Sequence, residues 1–359
     1  MSETVLMAGG GTGGHVFPLV AVAEALQRLR PGIEPVFVGT ERGMETRFVP
    51  ARGFTLELLS VLPIRGGGPA AALRGIARAA ASIPESRTLL RRYQPRGVFS
   101  IGGYAAGPVS LAARTMGVPL ALMEPNSVIG LANWLLAPLV DRAYTAFEVT
   151  ERNFSPAVVR RLGVPLRDGF SPCPWPGARG PLRILVLGGS QGAKALNEIV
   201  PRALAQVDAP LEIVHQCGAA HLEVVQARYR ELGREHAQVI AFIDDMPAAL
   251  GRAELVISRS GASAVSEIAA VGRPSLLIPY PFASGDHQRV NAEVFEKNGA
   301  ARAIPNGDVS VARLRSEVEL LCGDRAQLAR MATAARTLGR PDAARQVAAD
   351  FLNLMGLEN

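Results

Sequence analysis

Aromatic residues, cysteines and long apolar runs are scarce in this 359-residue chain, and each scarcity excludes a class of protein. Aromatic residues make up only 5% of the chain, so its core must be built from Val, Leu, Ile and Ala. Cys173, Cys217 and Cys322 lie far apart and match no metal-ligand spacing, which predicts neither a metal site nor structural disulfides. No apolar stretch reaches the length of a membrane span.

The composition that is present predicts a well-cored globular protein of about two domains. Hydrophobic residues account for 48% of the chain and charged residues for 19%. The net charge of +6 suits an anionic partner such as a nucleotide or an anionic lipid. No run of Lys and Arg with interleaved aromatics occurs, so we expect no nucleic-acid partner. The first residues lack a basic segment, so we also expect no signal peptide and a cytoplasmic protein.

Strand and helix patterns alternate in both halves of the chain. After the apolar run Val5–Met7, strands are predicted at 35–39, 55–59, 97–101, 119–123 and 142–146. In the second half they are predicted at 183–187, 211–216, 238–243, 254–258 and 275–278. This alternation predicts an α/β protein of two Rossmann-like domains, whose parallel sheets face a central cleft at their carboxyl ends.

Prolines mark the boundary between the predicted domains. Five of them fall between Gly163 and Pro181, a density typical of a stiff linker. We therefore expect a first domain at residues 1–165 and a second at 166–340. The amphipathic segment at 341–359 is expected to cross back to the first domain.

A glycine-rich loop between the first strand and the first helix organises the chain. Five of the six residues from Gly9 to Gly14 are glycines, and the helix is expected to begin near Pro18. Such a loop directs backbone N–H groups, here at Thr12, Gly13 and Gly14, toward a phosphate or another anion. The alternative is a turn that only connects strand to helix. The recurrence of the same pattern at 185–193 favours the anion site.

The second half carries three further loops with ligand-binding chemistry. Ser190 can bind a distal phosphate with its hydroxyl or can simply cap a helix. The small residues after Arg259-Ser-Gly261 leave N–H groups free for a diphosphate, and Glu267 can accept hydrogen bonds from a ribose diol. The alternative for Glu267 is a solvated helix glutamate. Gln288 lies in a polar loop that can bind sugar hydroxyls or can be an ordinary turn.

Collinear motifs resemble the MurG family of glycosyltransferases from about residue 4 to residue 300. These are Gly10–His15, Ile101–Pro108, Glu124–Asn126 with Gly130 and Asn133, Gly188–Gly192, Phe242–Met246, Arg259–Gly261, Ser266–Ile268 and Asp286–Asn291. The resemblance implies a GT-B fold, inversion at the sugar carbon, and neither an essential metal nor a cofactor. It also implies transfer of N-acetylglucosamine (GlcNAc) from UDP-GlcNAc to the C4 hydroxyl of the muramoyl sugar of lipid I, which forms lipid II in peptidoglycan synthesis.

For the donor, the resemblance assigns a role to each matching position. Five small residues would cover the α-phosphate: Ala262, Ser263, Ala264, Val265 and Ser266. Glu267 would bind the uridine ribose, and the backbone of Ile243 would read the uracil edge. Gln288 would bind the sugar, with Asn291 beside it.

Attack on C1 of UDP-GlcNAc requires a proton acceptor near neutral pH, and imidazole is the usual choice. His15 is the only histidine in a glycine loop. It can serve as this base, or it can cap the following helix or bond a carbonyl. The resemblance leaves the general base open among His15, Tyr104 and Glu124.

Two positions depart from the family pattern. The family generally has the sequence His-Glu-Gln-Asn or a close relative of it here, and Met123 stands in place of that histidine. The histidine is therefore not essential if the function is kept. Asn126 is still expected to reach the acetamido sugar or the acceptor. Val164 stands where the family usually has Asn, and Arg167 follows it as the arginine expected near the donor phosphates.

The implied partners are UDP-GlcNAc, lipid I and the cytoplasmic face of the cell membrane, with cell-wall synthesis and division proteins as further candidates. An apolar stripe with arginines among or just beyond it would contact the membrane peripherally. The alternative is that the stripe packs on the sheet. Its apolar residues are Leu73, Ile76, Ala77, Ala80 and Ile83, and the arginines are Arg74, Arg78, Arg87, Arg91 and Arg92.

The alternatives for function are a GT-B transferase for another lipid or natural product, and a non-catalytic nucleotide-sugar sensor. The acceptor-side glycine loops count against the sensor.

Overall fold

Each half of the chain forms a parallel sheet with helices between its strands. The computed structural model describes residues 3–41, 43–60, 81–177, 180–189 and 192–357. The chain divides into an N-terminal unit, Met1–Asp168 with Asp342–Asn359, and a C-terminal unit, Gly169–Pro341. The predicted membrane-facing stripe at 73–80 lies outside the described residues, and only Ile83 of that stripe is described.

The N-terminal unit contains a seven-stranded parallel sheet in the order β3-β2-β1-β4-β5-β6-β7. Its strands are β1 (Glu3–Gly9), β2 (Ile33–Gly39), β3 (Thr55–Leu58), β4 (Gly97–Gly102), β5 (Leu120–Glu124), β6 (Arg142–Thr145) and β7 (Val159–Arg161). Its first six described helices are α1 (Gly13–Leu29), α2 (Glu45–Phe48), α3 (Ile83–Tyr93), α4 (Ala106–Thr115), α5 (Leu131–Leu136) and α6 (Glu148–Glu151).

The C-terminal unit contains a six-stranded parallel sheet in the order β10-β9-β8-β11-β12-β13. Its strands are β8 (Leu182–Leu187), β9 (Leu211–Gln216), β10 (Gln238–Ile240), β11 (Leu255–Ser258), β12 (Ser275–Leu277) and β13 (Ala301–Ala303). Its described helices are α7 (Lys194–Ala205), α8 (Leu222–Glu231), α9 (Met246–Arg252), α10 (Ala262–Val271), α11 (His287–Lys297), α12 (Val311–Gly323) and α13 (Arg325–Leu338).

The last helix, α14 (Ala343–Leu354), belongs to the N-terminal unit and packs on α1. Phe351 meets Phe99 of β4 edge-on, with ring centroids 5.4 Å apart. The hydroxyl of Tyr144 on β6 donates to Asp350 at 2.9 Å. An apolar contact and a polar contact thus hold the chain terminus on the first sheet. Among the described helices, none is long and apolar enough to cross a membrane.

Helix α1 begins earlier than the sequence predicts. The N–H groups of His15 and Val16 donate to the carbonyl of Thr12 at 3.1 and 3.0 Å, so the helix starts at Gly13 and not near Pro18. The predicted start near Pro18 was wrong because proline is common at the first helical position, whereas Pro18 lies inside this helix. His15 is therefore part of the first helical turn.

In both sheets the loops with candidate site residues follow corresponding strands. Each sheet has its first strand at the centre, β1 beside β4 in one and β8 beside β11 in the other. The connections leave these central strands in opposite directions along the sheet, which opens a crevice at the carboxyl ends. The glycine loops of the sequence follow β1, β4 and β8, and the loop Arg259–Gly261 follows β11.

A buried polar chain supports the loop that follows β8. Asn197 donates to the carbonyl of Cys217 at 2.9 Å, so its carbonyl oxygen, 3.1 Å from Nε2 of His215, must accept. Nε2 therefore carries the hydrogen, and Nδ1 accepts from the hydroxyl of Tyr229 at 3.1 Å. The carbonyl of Cys217 packs so closely on Gly192 that a Cβ there would overlap it.

This network predicts an acid-sensitive C-terminal unit. Burial lowers the pKa of His215 to about 4, whereas the unfolded chain takes up this proton near 6.5. Between these values the unfolded state binds more protons, so the free energy of unfolding should fall as the pH is lowered from 6.5 to 4. The loss attributable to His215 is about 3 kcal/mol.

Chemical denaturation at several pH values measures this loss, with His215→Gln as the comparison. Glutamine can keep a donor and an acceptor at this position but does not titrate. Subtracting the variant's pH profile from that of the wild type removes the contribution of the carboxylates. Parallel profiles for the two proteins would contradict the assignment.

Candidate active site

The loops after β1 and β4 touch at the carboxyl edge of the first sheet. Gly103 has a φ of +90°, and a Cβ there would lie 3.0 Å from the carbonyl oxygen of Gly10. A Cβ at Gly9, whose φ is +150°, would lie 2.5 Å from Cγ2 of Ile101. Only glycine permits both the backbone conformation and the short approach. The two loops thus form one surface, with the first turn of α1 at its side.

His15 presents a free ring nitrogen at this surface. Its Nδ1 lies 3.1 Å from the carbonyl oxygen of Gly10. Because a carbonyl can only accept, Nδ1 carries the hydrogen, and the lone pair of the neutral ring is on Nε2. The ring is half-buried. This arrangement combines the structural role considered from sequence, a bond to a loop carbonyl, with the lone pair that a general base needs.

The other residues of the first loop divide into two groups. Thr12 is exposed at the N-cap of α1 without a side-chain cap, and Gly13 and Gly14 lie in the first turn, where N–H groups have no helical partner. These positions fit the predicted anion contact. The N–H of Gly11, in contrast, already donates to the carboxylate of Glu45 at 2.7 Å.

The sequence reasoning missed Glu45, which assembles the first loop. Its carboxylate is 1% exposed and also accepts from the N–H and the hydroxyl of Thr40, at 3.0 and 3.2 Å. The signal that could have indicated its role is the pair of glycines, Gly39 and Gly43, that shortly precede Glu45.

Glu124 supports a turn and is poorly placed as a proton acceptor. It is 1% exposed at the end of β5. Both of its oxygens accept hydrogen bonds: from the backbone and side chain of Asn126 at 3.0 and 3.3 Å, from the N–H of Gly130 at 3.0 Å, and from Asn133 at 2.8 Å. Asn126 is half-buried on the turn that this carboxylate holds. Met123 is fully buried, so the departure from the family pattern is a core side chain.

Tyr104 and Arg167 take two different environments in the N-terminal unit. Tyr104 is 39% exposed in the turn directly after Gly103, next to the first loop. Arg167 places its guanidinium over the ring of Phe17 on α1, 4.9 Å from the centroid. Tyr104 therefore adjoins the surface of His15, and Arg167 lies against the first helix.

In the C-terminal unit, α11 is fastened to the loop before α10. The hydroxyl of Ser260 donates to the carbonyl of Gln288 at 2.7 Å, and Asn291 donates to the carbonyl of Ser260 at 3.0 Å. The side chain of Gln288 accepts from the N–H of Tyr280 at 3.0 Å, and its Nε2 lies beside Gly261, the N-cap of α10. Gln288 is thereby held next to the first turn of α10.

The start of α10 offers donors of the kind a diphosphate needs. Ala262, Ser263 and Ala264 occupy its first turn, where N–H groups lack helical partners and the helix dipole is positive. The buried hydroxyl of Ser263 has no hydrogen-bond partner within the described part of the chain. Ser266 and Glu267 follow on the next turn, both half-buried, and Glu267 shares a face with Ser263 at a spacing of four residues.

Two of the residues expected to contact the ligand, Val265 and Asn291, have buried side chains. The side chain of Val265 is fully buried, and its N–H donates to the carbonyl of Gly261 at 3.0 Å. Asn291 is fully buried as well, with its amide on Ser260. Neither offers a group at the surface, so both support the loop and the helix that carry the other candidates.

The remaining donor candidates flank this turn. Strand β10 ends at Ile240, three residues before the predicted end, so Ile243 lies in the following loop with its side chain 9% exposed. Ser190 lies outside the described residues, but the loop before it is held by Gln216, which donates to the carbonyl of Gly189 at 2.8 Å. Arg259 is half-buried, and this partial burial lowers its pKa; it donates to the carbonyls of Ile278 and Pro279. Among the described residues, no group of three or more acidic, histidine or cysteine side chains could hold a metal ion.

Comparison with known proteins agrees with this arrangement over nearly the whole chain. The glycosyltransferase family 28 N-terminal domain matches residues 5–145, and the C-terminal domain of the same family matches residues 183–347. A UDP-N-acetylglucosamine--N-acetylmuramyl-(pentapeptide) pyrophosphoryl-undecaprenol N-acetylglucosamine transferase of Sorangium cellulosum is 54% identical over 357 residues, 98% of this chain and 88% of the relative. The transferase of the same name from Acidithiobacillus ferrooxidans is 42% identical, covering 99% of both chains.

Solved structures give the same result. The crystal structure of Acinetobacter baumannii MurG matches with a TM-score of 0.81 and 32% identity, covering 98% of this chain and 99% of that one. The glycosyltransferase of kitacinnamycin, at 18% identity and a TM-score of 0.73 over 99% of this chain and all of that one, shares the fold. The predicted GT-B class, with two α/β units built on parallel sheets, is confirmed. The chain belongs to glycosyltransferase family 28 and, within it, to the MurG family.

Proposed function

We propose that this protein transfers GlcNAc from UDP-GlcNAc to the C4 hydroxyl of the muramoyl sugar of lipid I, with inversion, to form lipid II for peptidoglycan synthesis. The observation that carries the proposal is the activity named for relatives 54% and 42% identical over nearly the whole chain. In this proposal the N-terminal unit binds lipid I and the C-terminal unit binds UDP-GlcNAc.

The donor site supports this assignment with the chemistry of α10. The N–H groups of Ala262, Ser263 and Ala264 and the hydroxyl of Ser263 would contact the diphosphate, and Glu267 would bind the ribose diol. When the bond between C1 and the UDP oxygen breaks, negative charge gathers on the leaving group. Donors fixed at a helix N-terminus stabilise that charge without reorganising. Gln288, held beside Gly261, is the side chain we assign to the sugar.

The acceptor side supports a direct displacement with His15 as the general base. The C4 oxygen forms the new bond to C1, its proton passes to Nε2 of His15, and UDP departs. Two observations favour His15 over Glu124. The lone pair of the neutral His15 ring is on Nε2, and the carboxylate of Glu124 is buried with both oxygens accepting hydrogen bonds.

Turnover of purified lipid I with labelled UDP-GlcNAc tests the function. We expect labelled lipid II and release of UDP. Turnover only with another lipid acceptor would instead identify a related transferase, and UDP binding without any turnover would identify a nucleotide-sugar sensor.

His15→Ala should lower kcat by about 10²–10⁴, the usual effect of removing a general base. The affinity for UDP should not change, because the assigned donor contacts belong to the C-terminal unit. Single-turnover rates with both substrates saturating measure the chemical step. An unchanged step would end the assignment, and a loss confined to lipid I binding would make His15 a support of the first loop.

Glu267→Ala should weaken UDP binding by about 1.5–3 kcal/mol, the contribution of hydrogen bonds to a charged group. The KM for lipid I should stay near its wild-type value. Calorimetric titration with UDP measures the loss, and Glu223→Ala, an exposed glutamate on α8 of the same unit, is the matched control. Wild-type affinity in a folded Glu267 variant would show that the ribose is bound elsewhere.

We also propose that the N-terminal unit rests peripherally on the cytoplasmic face of the membrane, where a polyprenyl-linked substrate resides. Arg87 and Arg91 are exposed on α3, directly after the predicted apolar stripe. Three apolar residues of α5 are exposed as well: Leu131, Trp134 and Leu135. Exposed basic and apolar side chains on one unit suit an anionic bilayer. Contacts with cell-wall synthesis and division proteins stay a prediction of the family resemblance.

Charge reversal tests the membrane contact. Arg87→Glu with Arg91→Glu should reduce binding to vesicles containing anionic lipid by about tenfold or more, since each basic residue near such a surface contributes about 1 kcal/mol. Arg202→Glu with Arg230→Glu, exposed on α7 and α8 of the C-terminal unit, is the matched control. Vesicle sedimentation measures both pairs, and equal losses would mean that only the net charge matters.

A further inference from the structure

A buried carboxylate lies beneath the loop of His15 and accepts a hydrogen bond from its backbone. Glu45 accepts three hydrogen bonds, from the N–H of Gly11 and from the N–H and hydroxyl of Thr40. It is 1% exposed, and within the described part of the chain no ion pair accompanies these bonds. Burying an ionised carboxylate without a counter-charge costs several kcal/mol. An apolar side chain would leave the N–H groups of Gly11 and Thr40 without this acceptor, so the carboxylate organises the loop, and its charge acts on the peptide group that it bonds.

The position of this carboxylate is fixed by three glycines. A Cβ at Gly10, Gly39 or Gly43 would overlap the carboxylate of Glu45. The segment around Glu45 also holds the other side of Gly11, because the N–H of Met44 donates to the Gly11 carbonyl at 3.4 Å. The loop and the carboxylate are thus fitted to each other, and neither can shift alone.

One peptide group connects Glu45 to His15. The N–H of Gly11 donates to Glu45 at 2.7 Å, and the carbonyl of Gly10, which belongs to the same peptide group, accepts from Nδ1 of His15 at 3.1 Å. A carboxylate on the N–H side polarises the peptide and makes its carbonyl a stronger acceptor. The hydrogen is thereby held on Nδ1 and the lone pair on Nε2.

We propose that Glu45 is a positioning residue for the transfer reaction and acts on His15 through the Gly10–Gly11 peptide group. The proposal rests on the proposed function, in which His15 accepts the proton of the C4 hydroxyl. That proton moves to Nε2, the hydrogen on Nδ1 stays in place, and Glu45 exchanges no proton. The carboxylate fixes the tautomer before the step and stabilises the imidazolium formed during it. A purely structural Glu45 would do neither.

Glu45→Gln tests this in a double-mutant cycle. Glutamine keeps the shape, but one of its two head atoms becomes a donor, so it cannot accept from both Gly11 and Thr40. We expect kcat to fall about tenfold or more with the KM for UDP-GlcNAc unchanged, and the same change in a His15→Ala background to alter kcat less than about twofold. Glu57→Gln, a partly buried glutamate at β3 in the same unit, is the control and should leave kcat unchanged.

The outcomes of the cycle are distinct. A loss of equal size in the His15→Ala background would mean that Glu45 acts through the fold, and would overturn the relay. A slow His15→Ala protein combined with wild-type kcat in Glu45→Gln would overturn the relay alone. Full kcat in His15→Ala would overturn the base assignment of the proposed function and this proposal with it.

The tautomer of His15 provides a readout that needs no turnover. The chain has five histidines, and in protein labelled with ¹⁵N-histidine the signals of His15 are those lost in His15→Ala. At a pH where the ring is neutral, we expect the Nδ1–H form in the wild type and a shift toward the Nε2–H form in Glu45→Gln. An Nε2–H form in the wild type would overturn the proposal even if the Glu45 variant failed to fold.

Discussion

The close approach of two backbone loops at the carboxyl edge of the first sheet is the constraint on which the N-terminal unit depends. Gly10 and Gly103 come near enough that a side chain on either would collide with its surroundings. This approach sets the carbonyl of Gly10 where His15 can bond to it, and it brings Tyr104 alongside. The sheet supplies the rigid support, because β1 and β4 are neighbours and are buried from Val5 to Gly9 and from Gly97 to Gly102.

The C-terminal unit also holds its loops at the carboxyl ends of its strands, but with interactions that differ from those of the N-terminal unit. Its loop after β8 is held from behind by Gln216 and Cys217, and its loop before α10 by Asn291 and Gln288. Side-chain hydrogen bonds to backbone carbonyls therefore do the work that glycine contacts and one carboxylate do in the other unit. The N–H groups in the first turn of α10 have no partner within the helix, which suits a ligand that brings its own negative charge.

The sequence predicts those features whose cause is local. The parallel strands follow from continuous apolar runs such as Val5–Ala8, and the loops follow from their glycines. The collinear motifs identify the family. The start of α1 could not be predicted, because Pro18 resembles a first helical residue while the turn before it is set by Thr12. The burial of Val265 and Asn291 depends on packing against other elements, which a helical pattern alone does not show.

Glu45 illustrates why the rest of the site needs three dimensions. Its surroundings come from three short segments, around Gly10, Gly39 and Gly43, and no spacing along the chain links the first to the others. The first loop has the sequence of an anion cradle, but the protein fills one of its donor positions with its own carboxylate. The loop therefore cannot be read as a set of free donors, and only Thr12, Gly13 and Gly14 keep that role.

Two opposing electrostatic effects then act on His15. The positive N-terminus of α1 disfavours an added positive charge in the first turn by about 0.3–1 kcal/mol. In the proposed relay, the carboxylate of Glu45, one peptide group away, favours the Nδ1–H tautomer and the imidazolium formed during the step. A base for this reaction must be unprotonated before the step and must become protonated during it. The helix end serves the first requirement and the buried carboxylate the second, so a loop that held either one alone would make a poorer base of the same histidine.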